Sequence, residues 1–94
     1  MISEWYCKEI IKKVLSRECV IQWTELGLKK YSTIKTFNPL NNTVTLKTVA
    51  DIKNGLWNKE TDEHISIDLS DKQSILMYDI KTLSIDEFKI LLTK

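Results

Sequence analysis

The sequence has 94 residues, of which 43% are hydrophobic and 29% charged, and its net charge is +1 at pH 7. This composition excludes a disordered chain, and the length predicts one globular domain spanning residues 1–94. No apolar run approaches the roughly 20 residues that cross a bilayer, and charged residues interrupt any secretory leader. We therefore expect a cytoplasmic protein that does not enter a membrane.

The first segment has helical periodicity. Apolar residues recur at three- and four-residue spacing from Tyr6 to Leu15. This spacing predicts an amphipathic helix from residue 3 to about residue 18, with Ser3 as its N-cap. Trp5 falls on the polar side of this helix, so it either covers a neighbouring loop, which we favour, or is exposed for a partner.

The following third of the chain is rich in β-branched and aromatic residues, which predict strands. We expect three of them, over residues 19–24, 28–37 and 43–48. Gly27 marks the first turn, and the Pro- and Asn-rich segment 38–42 marks the second.

Residues 48–55 fit two structures. Asn54-Gly55 is the strongest short signal for a type I′ hairpin turn, so the third strand could continue into that turn. Alternatively, Thr48 could cap a short helix that ends at Gly55. We favour the hairpin.

The clearest strand signal begins at His64. Polar and apolar residues alternate strictly as far as Ser70, which predicts a strand with one buried and one exposed face. Residues 74–80 are apolar on both faces, which predicts a second, fully buried strand. A short polar segment separates the two, so we expect an antiparallel hairpin over residues 64–80 at the centre of the fold.

The last segment has an N-terminal helix signal. Ser84-Ile85-Asp86-Glu87 is a capping box that opens a helix through Leu92. So short a helix must pack on a sheet to be stable. The sequence therefore predicts an α+β fold: an N-terminal amphipathic helix, an antiparallel sheet of about five strands, and a short C-terminal helix packed on the sheet.

The sequence carries few groups for catalysis. Cys7, Cys19 and His64 do not have the spacing of a zinc site, and isolated glycines exclude a phosphate-binding loop. We expect both cysteines to be reduced and His64 to face solvent, although His64 with a cysteine could form an acid–base and nucleophile pair. We expect no metal, no cofactor and no enzymatic activity.

Two alternative functions remain open. A small metal-dependent hydrolase could use one of the acid-x-lysine triplets Asp51-Ile52-Lys53, Asp79-Ile80-Lys81 and Glu87-Phe88-Lys89, but such triplets occur by chance at this charge content. A nucleic-acid-associated regulator could use the basic residues of the first helix and the second strand, because residues 1–47 carry eight basic and four acidic residues. These basic residues are Lys8, Lys12, Lys13, Arg17, Lys29, Lys30 and Lys35. A single arginine disfavours that function.

The C-terminal half is acidic, and its acids begin a run at Glu60. We expect these acids to form a negative patch beside an exposed tryptophan. The predicted partner-binding residues are Trp57, Glu60, Asp62, Glu63, Asp68 and Asp71. Acids would speed association with a basic protein, and the aromatic side chain would supply binding energy.

The leading interpretation is a non-enzymatic protein-binding module. Within that class we favour an immunity or inhibitor protein that occludes the active site of a toxin, for example a basic nuclease toxin. The composition agrees with this setting, since thirteen lysines to one arginine and twelve isoleucines to one alanine are typical of the AT-rich genes of bacterial and phage toxin–immunity loci.

Overall fold

The computed structural model describes residues 3–93, and within them it has three helices and six strands. The helices are α1 (Glu4–Ser16), α2 (Lys72–Met77) and α3 (Ile85–Leu92). The strands are β1 (Cys19–Glu25), β2 (Leu28–Asn38), β3 (Thr43–Lys53), β4 (Leu56–Asn58), β5 (His64–Asp68) and β6 (Lys81–Ser84). The predicted α+β class is confirmed, with an N-terminal helix, an antiparallel sheet and a short C-terminal helix packed on it.

The sheet is built around β3. The strand order is β4-β3-β2-β1-β6, and β5 also pairs with β3. One edge of β3 pairs with β2, while the other edge pairs with β4 opposite residues 51–53 and with β5 opposite residues 43–47. Between these two partners, the Thr48 N–H donates to the Glu63 carbonyl at 2.8 Å. The segment between β4 and β5 is therefore attached to β3.

Two hairpins have two-residue turns, and both turns need positive φ at each residue. Asn54 and Gly55 have φ of 52° and 79° between β3 and β4, which is the type I′ turn that Asn-Gly predicts. The hairpin prediction for residues 48–55 is confirmed, and the alternative short helix is wrong. Leu26 and Gly27 form the same turn between β1 and β2, with φ of 52° and 79°.

The predicted hairpin over residues 64–80 is wrong in its second half. Its first strand exists as β5, but β5 pairs with β3, and residues 72–77 form α2. Asp71 starts this helix, because its carboxylate accepts from the Gln73 N–H at 3.0 Å and from the Ser74 hydroxyl at 2.8 Å. The helix buries Ile75 and leaves the next two apolar side chains exposed.

The two faces of the sheet carry different cores. The α1 face, covered by α1 and α2, holds twelve buried residues: Cys7, Ile10, Val14, Cys19, Ile21, Trp23, Val44, Leu46, Ile67, Leu69, Ile75 and Ile80. Within it the Trp23 indole N–H donates to the Ser32 hydroxyl at 2.8 Å, and that hydroxyl lies 3.1 Å from the Thr48 hydroxyl. The α3 face, covered by α3, holds four: Val20, Tyr31, Ala50 and Phe88.

Side-chain caps define the ends of both longer helices. The Ser3 hydroxyl accepts from the Tyr6 N–H at 3.1 Å. At α3 the Ser84 hydroxyl accepts from the Glu87 N–H and the Glu87 carboxylate accepts from the Ser84 N–H, both at 3.0 Å, so the predicted capping box is confirmed. Trp5 is 68% exposed, which contradicts our expectation that it covers a loop.

None of the helices within residues 3–93 is long and apolar enough to cross a membrane. Both cysteines are free thiols in the structure, as the sequence analysis predicted.

Candidate protein-binding surface

Trp57 is less exposed to a binding partner than the sequence suggests. It lies in β4 opposite Ile52, and its ring packs on Tyr31 with centroids 5.4 Å apart. The side chain is half-buried at the margin of the α3-face core. Trp57 therefore contributes to the fold and leaves only part of its ring for a partner.

The loop acids are in three different situations. Glu60 is exposed. The Asp62 carboxylate is also exposed and lies 3.9 Å from the Lys47 ammonium. Glu63 is engaged, because both of its carboxylate oxygens accept from the Lys30 ammonium at 2.8 Å.

Asp68 and Asp71 lie at the other end of β5. His64 pairs with Lys47 and Asp68 pairs with Thr43, so Asp68 is roughly 17 Å along the chain from Glu63, the nearest of the loop acids. Its carboxylate accepts from the Ser70 hydroxyl at 2.6 Å and from the Ser70 N–H at 2.9 Å, and these bonds lower the pKa of Asp68. The six predicted residues thus fall into two separated groups, with the Lys47 cation between them.

Lys30 is the most buried charge in the described residues. It is 5% exposed, and its ammonium lies 3.4 Å from the Glu25 carboxylate and 4.7 Å from the centroid of the Trp23 ring. Burial pulls the pKa of Lys30 down, but the hydrogen bonds and charges of Glu63 and Glu25 outweigh it and raise that pKa above its ordinary value. Lys30 is therefore a fixed cation inside the fold, which removes it from the basic surface that the nucleic-acid alternative requires.

A different exposed surface lies beside this ion cluster, at the tip of the β1–β2 hairpin. Leu26 is 92% exposed, and Leu76 and Met77 at the end of α2 are 63% and 67% exposed. Leu26 and Met77 share a groove of about 340 Å³ with Tyr78. We define the Leu26 surface as the residues that line this groove: Thr24, Glu25, Leu26, Met77 and Tyr78.

Backbone and aromatic contacts hold the two parts of the Leu26 surface together. The Thr24 N–H donates to the Tyr78 carbonyl at 2.7 Å, which ties the end of α2 to β1. The Tyr78 ring meets the Trp23 ring edge-on with centroids 5.6 Å apart. The exposed aliphatic side chains are therefore carried by an ordered base.

The margin of the Leu26 surface is acidic. Glu25 lines its groove and is linked through Lys30 to Glu63. These two carboxylates face a single ammonium, so this side of the surface carries a net negative charge. Asp79 follows Tyr78 in the chain, and its carboxylate lies 3.7 Å from the Lys81 ammonium.

The sequence analysis missed this surface, although one signal was available. Leucine is a poor residue for a turn position with positive φ, where Asn or Gly is expected. The Leu26-Gly27 turn therefore has a first residue that its backbone conformation disfavours, and this is the signal in the sequence. Leu76 and Met77 were missed because their segment was assigned to a buried strand.

The groups considered for catalysis are dispersed. Within residues 3–93 no cluster of three or more His, Cys, Asp or Glu side chains is placed to hold a metal ion. His64 on β5 and Cys19 on β1 are separated by β3 and β2, roughly 14 Å at the usual strand spacing. Burial raises the pKa of the Cys19 thiol, which keeps it protonated and weakly nucleophilic.

Comparison with protein-family models, with curated proteins and with solved structures finds no match to this chain.

Proposed function

We propose that this chain is a non-enzymatic protein-binding module and that its partner docks on the Leu26 surface. The observation that carries the proposal is the position of Leu26, which holds a positive φ of 52° while its side chain is 92% exposed. A left-handed backbone costs a non-glycine residue roughly 1 kcal/mol, and an exposed leucine returns nothing to the fold. Contact with a partner would account for an exposed leucine at this turn position.

The residues around Leu26 support docking. Met77 is flexible and polarisable, so it adapts its shape to a partner, and methionine is enriched in protein interfaces. Glu25 and Glu63 place negative charge at the margin, where charge speeds association and selects partners. The matching partner surface has an apolar centre and a basic margin.

Within this class we propose an inhibitor, of the immunity type, that blocks a basic toxin in the cytoplasm. Glu60 and Asp62 support this proposal, because they add two exposed carboxylates to the loop that carries Glu63. A nuclease toxin binds phosphates through a basic site, which such a margin would attract. The inhibitor would then act by covering that site.

The test begins with cross-linked capture from cells that make this protein. We compare the wild-type chain with a Leu26→Ser/Met77→Ser variant and with the control Leu40→Ser, whose leucine is 94% exposed in the β2–β3 turn. We expect one protein that the wild type and the control capture and the double variant does not. Capture that is equal for all three chains would refute docking on the Leu26 surface.

A growth assay then tests the inhibitor proposal. We expect the captured protein to arrest growth when it is expressed alone, and co-expression of the wild-type chain to restore growth. A captured protein that leaves growth unaffected would refute the inhibitor proposal and leave the binding function in place.

Replacing Leu26 with asparagine should increase the stability of the fold and weaken partner binding. Asparagine tolerates the left-handed region, so Leu26→Asn should raise the free energy of unfolding by up to about 1 kcal/mol. The same change should weaken partner binding at least tenfold. Urea denaturation and titration of the captured partner measure the two effects, and Leu40→Asn should leave the affinity unchanged.

A further inference from the structure

A second concave site lies on the α3 face, where α3 leaves part of the sheet uncovered. This α3 groove has a volume of about 400 Å³, which is within the range of small-molecule sites. Its apolar wall comes from three elements: Val20 of β1, Ile34 of β2, and Phe88 and Leu92 of α3. Two lining residues, Cys19 and Ile34, also contribute to the α1-face core, so the groove extends from the α3 face to the margin of the sheet. The lining is mostly hydrophobic, as in sites that hold an apolar ligand body.

Two cations and no acids line the α3 groove. Arg17 and Lys89 are both exposed lining residues. Neither belongs to an ion pair within residues 3–93. Neither cation is therefore within 4.0 Å of a carboxylate of the described residues, although Glu18 follows Arg17 in the chain.

Arg17 has a left-handed backbone conformation that arginine rarely adopts. Arg17 is the C-cap of α1 with φ of 58°, a left-handed conformation in which glycine is the usual residue. It is also the only arginine of the chain. The chain thus places its one guanidinium in a strained position at an apolar groove, and this group forms two parallel hydrogen bonds with a carboxylate.

We propose that the α3 groove binds an amphipathic carboxylate, the chemistry of a fatty acid. The alkyl chain would lie against Phe88, Leu92 and Ile34, and the carboxylate would pair with Arg17 and Lys89. The dimensions favour a small molecule, because a stable protein partner would need to cover roughly 800 Å² of this chain.

The α3 groove is separate from the Leu26 surface. Cys19 at the start of β1 lines the groove, and Glu25 at the end of β1 lines the Leu26 surface. The length of β1 places them roughly 20 Å apart. Binding at one site therefore leaves the other open.

Sodium decanoate, kept below its micellar concentration, is the probe. We expect saturable shifts of the methyl signals of Val20, Ile34 and Leu92 in NMR titrations. Decyltrimethylammonium has the same tail and the opposite charge, and we expect it to produce no saturable shifts. Shifts that rise linearly with decanoate, or equal binding of the two probes, would overturn the proposal.

Variants test the role of the guanidinium. Arg17→Gln should weaken decanoate binding at least tenfold, whereas Lys12→Gln, at an exposed position of α1, should not change it. Arg17→Gly relieves the backbone strain while removing the cation, so it should bind equally weakly in a chain at least as stable as the wild type. Undiminished binding by Arg17→Gly would contradict the site.

Discussion

The two faces of the sheet differ in how many residues they bury and in how completely the helices cover them. The α1 face buries twelve residues, and its polar groups Trp23, Ser32 and Thr48 satisfy one another. The α3 face buries four residues under an eight-residue helix and leaves a groove beside it. The difference indicates that the α1 face supplies most of the stability, while the thinner α3 face has room for a ligand.

Truncating one aromatic side chain on each face should give the largest effect. Trp23 is 0% exposed, so Trp23→Ala should cost about 3–5 kcal/mol, because it leaves a cavity and removes one of the two hydrogen-bond partners of the buried Ser32 hydroxyl. Phe88 borders the groove, which can partly collapse, so Phe88→Ala should cost about 3 kcal/mol or less. Urea denaturation measures both, and equal losses would mean that the faces are equally well packed.

The buried ion cluster at the edge of the α1 face should give an intermediate effect. Glu63→Gln leaves the Lys30 ammonium with only the more distant Glu25, so we expect a loss of about 1–2 kcal/mol, limited by the partial exposure of Glu63. Lys30→Met removes the buried charge itself and should cost less. Thermal and urea unfolding of both variants measure this order, and a larger loss in Lys30→Met would contradict it.

The pH dependence of the Lys30 cluster follows from the sign of its pKa shift. The pKa is raised in the folded state, so the contribution is complete below the ordinary lysine value of about 10.4 and is lost as the pH rises through the folded value. The contribution of the cluster should therefore be about the same at pH 6 and at pH 9. Urea denaturation of the wild type and Glu63→Gln at both pH values measures this, and a loss in Glu63→Gln that changes between them would contradict it.

The smallest effect should appear on the α3 face in acid. Hydrogen bonds from the Ser84 N–H and hydroxyl lower the pKa of Glu87. Its contribution is therefore present above the ordinary glutamate value of about 4.3 and is lost as the pH falls through the folded value. Amide protection factors in α3, which correct for the intrinsic exchange rate at each pH, should fall in that range in the wild type but change less with pH in Glu87→Gln. Identical profiles would show that the capping box does not hold α3.

Local sequence signals predicted the parts of the fold that local chemistry decides. Ser84 and Glu87 satisfy backbone groups within one turn, and Asn54-Gly55 supplies two positive φ angles, so neither depends on distant contacts. The assignment of residues 74–80 failed because a short apolar run fits a buried strand and a buried helix equally well. Asp71 favours the helix because it caps the N-terminus of α2, and this role was not recognised in the sequence.

The candidate site was harder to predict because it depends on pairing across the sheet. Glu63 reaches Lys30 only because the segment after β4 returns to β3, and Asp68 is distant from the loop acids only because β5 runs along β3. Neither register is encoded in the spacing of the acids. Exposure of Leu76 and Met77 follows from the rotation of α2, which the strand assignment could not give.

The pairing of β6 with β1 has a consequence for the order of folding. Cys19 pairs with Ser84, so this contact closes a loop containing almost the whole sheet, whereas each two-residue turn brings its strands together locally. The entropy of closure grows with loop length, so we expect β6 and α3 to join a sheet whose hairpins already exist. Pulse-labelled hydrogen exchange should protect Trp23 before Leu83. The α3 groove would then be the last feature to form. A ligand bound there would slow unfolding, because it would stabilise the pairing of β6 with β1.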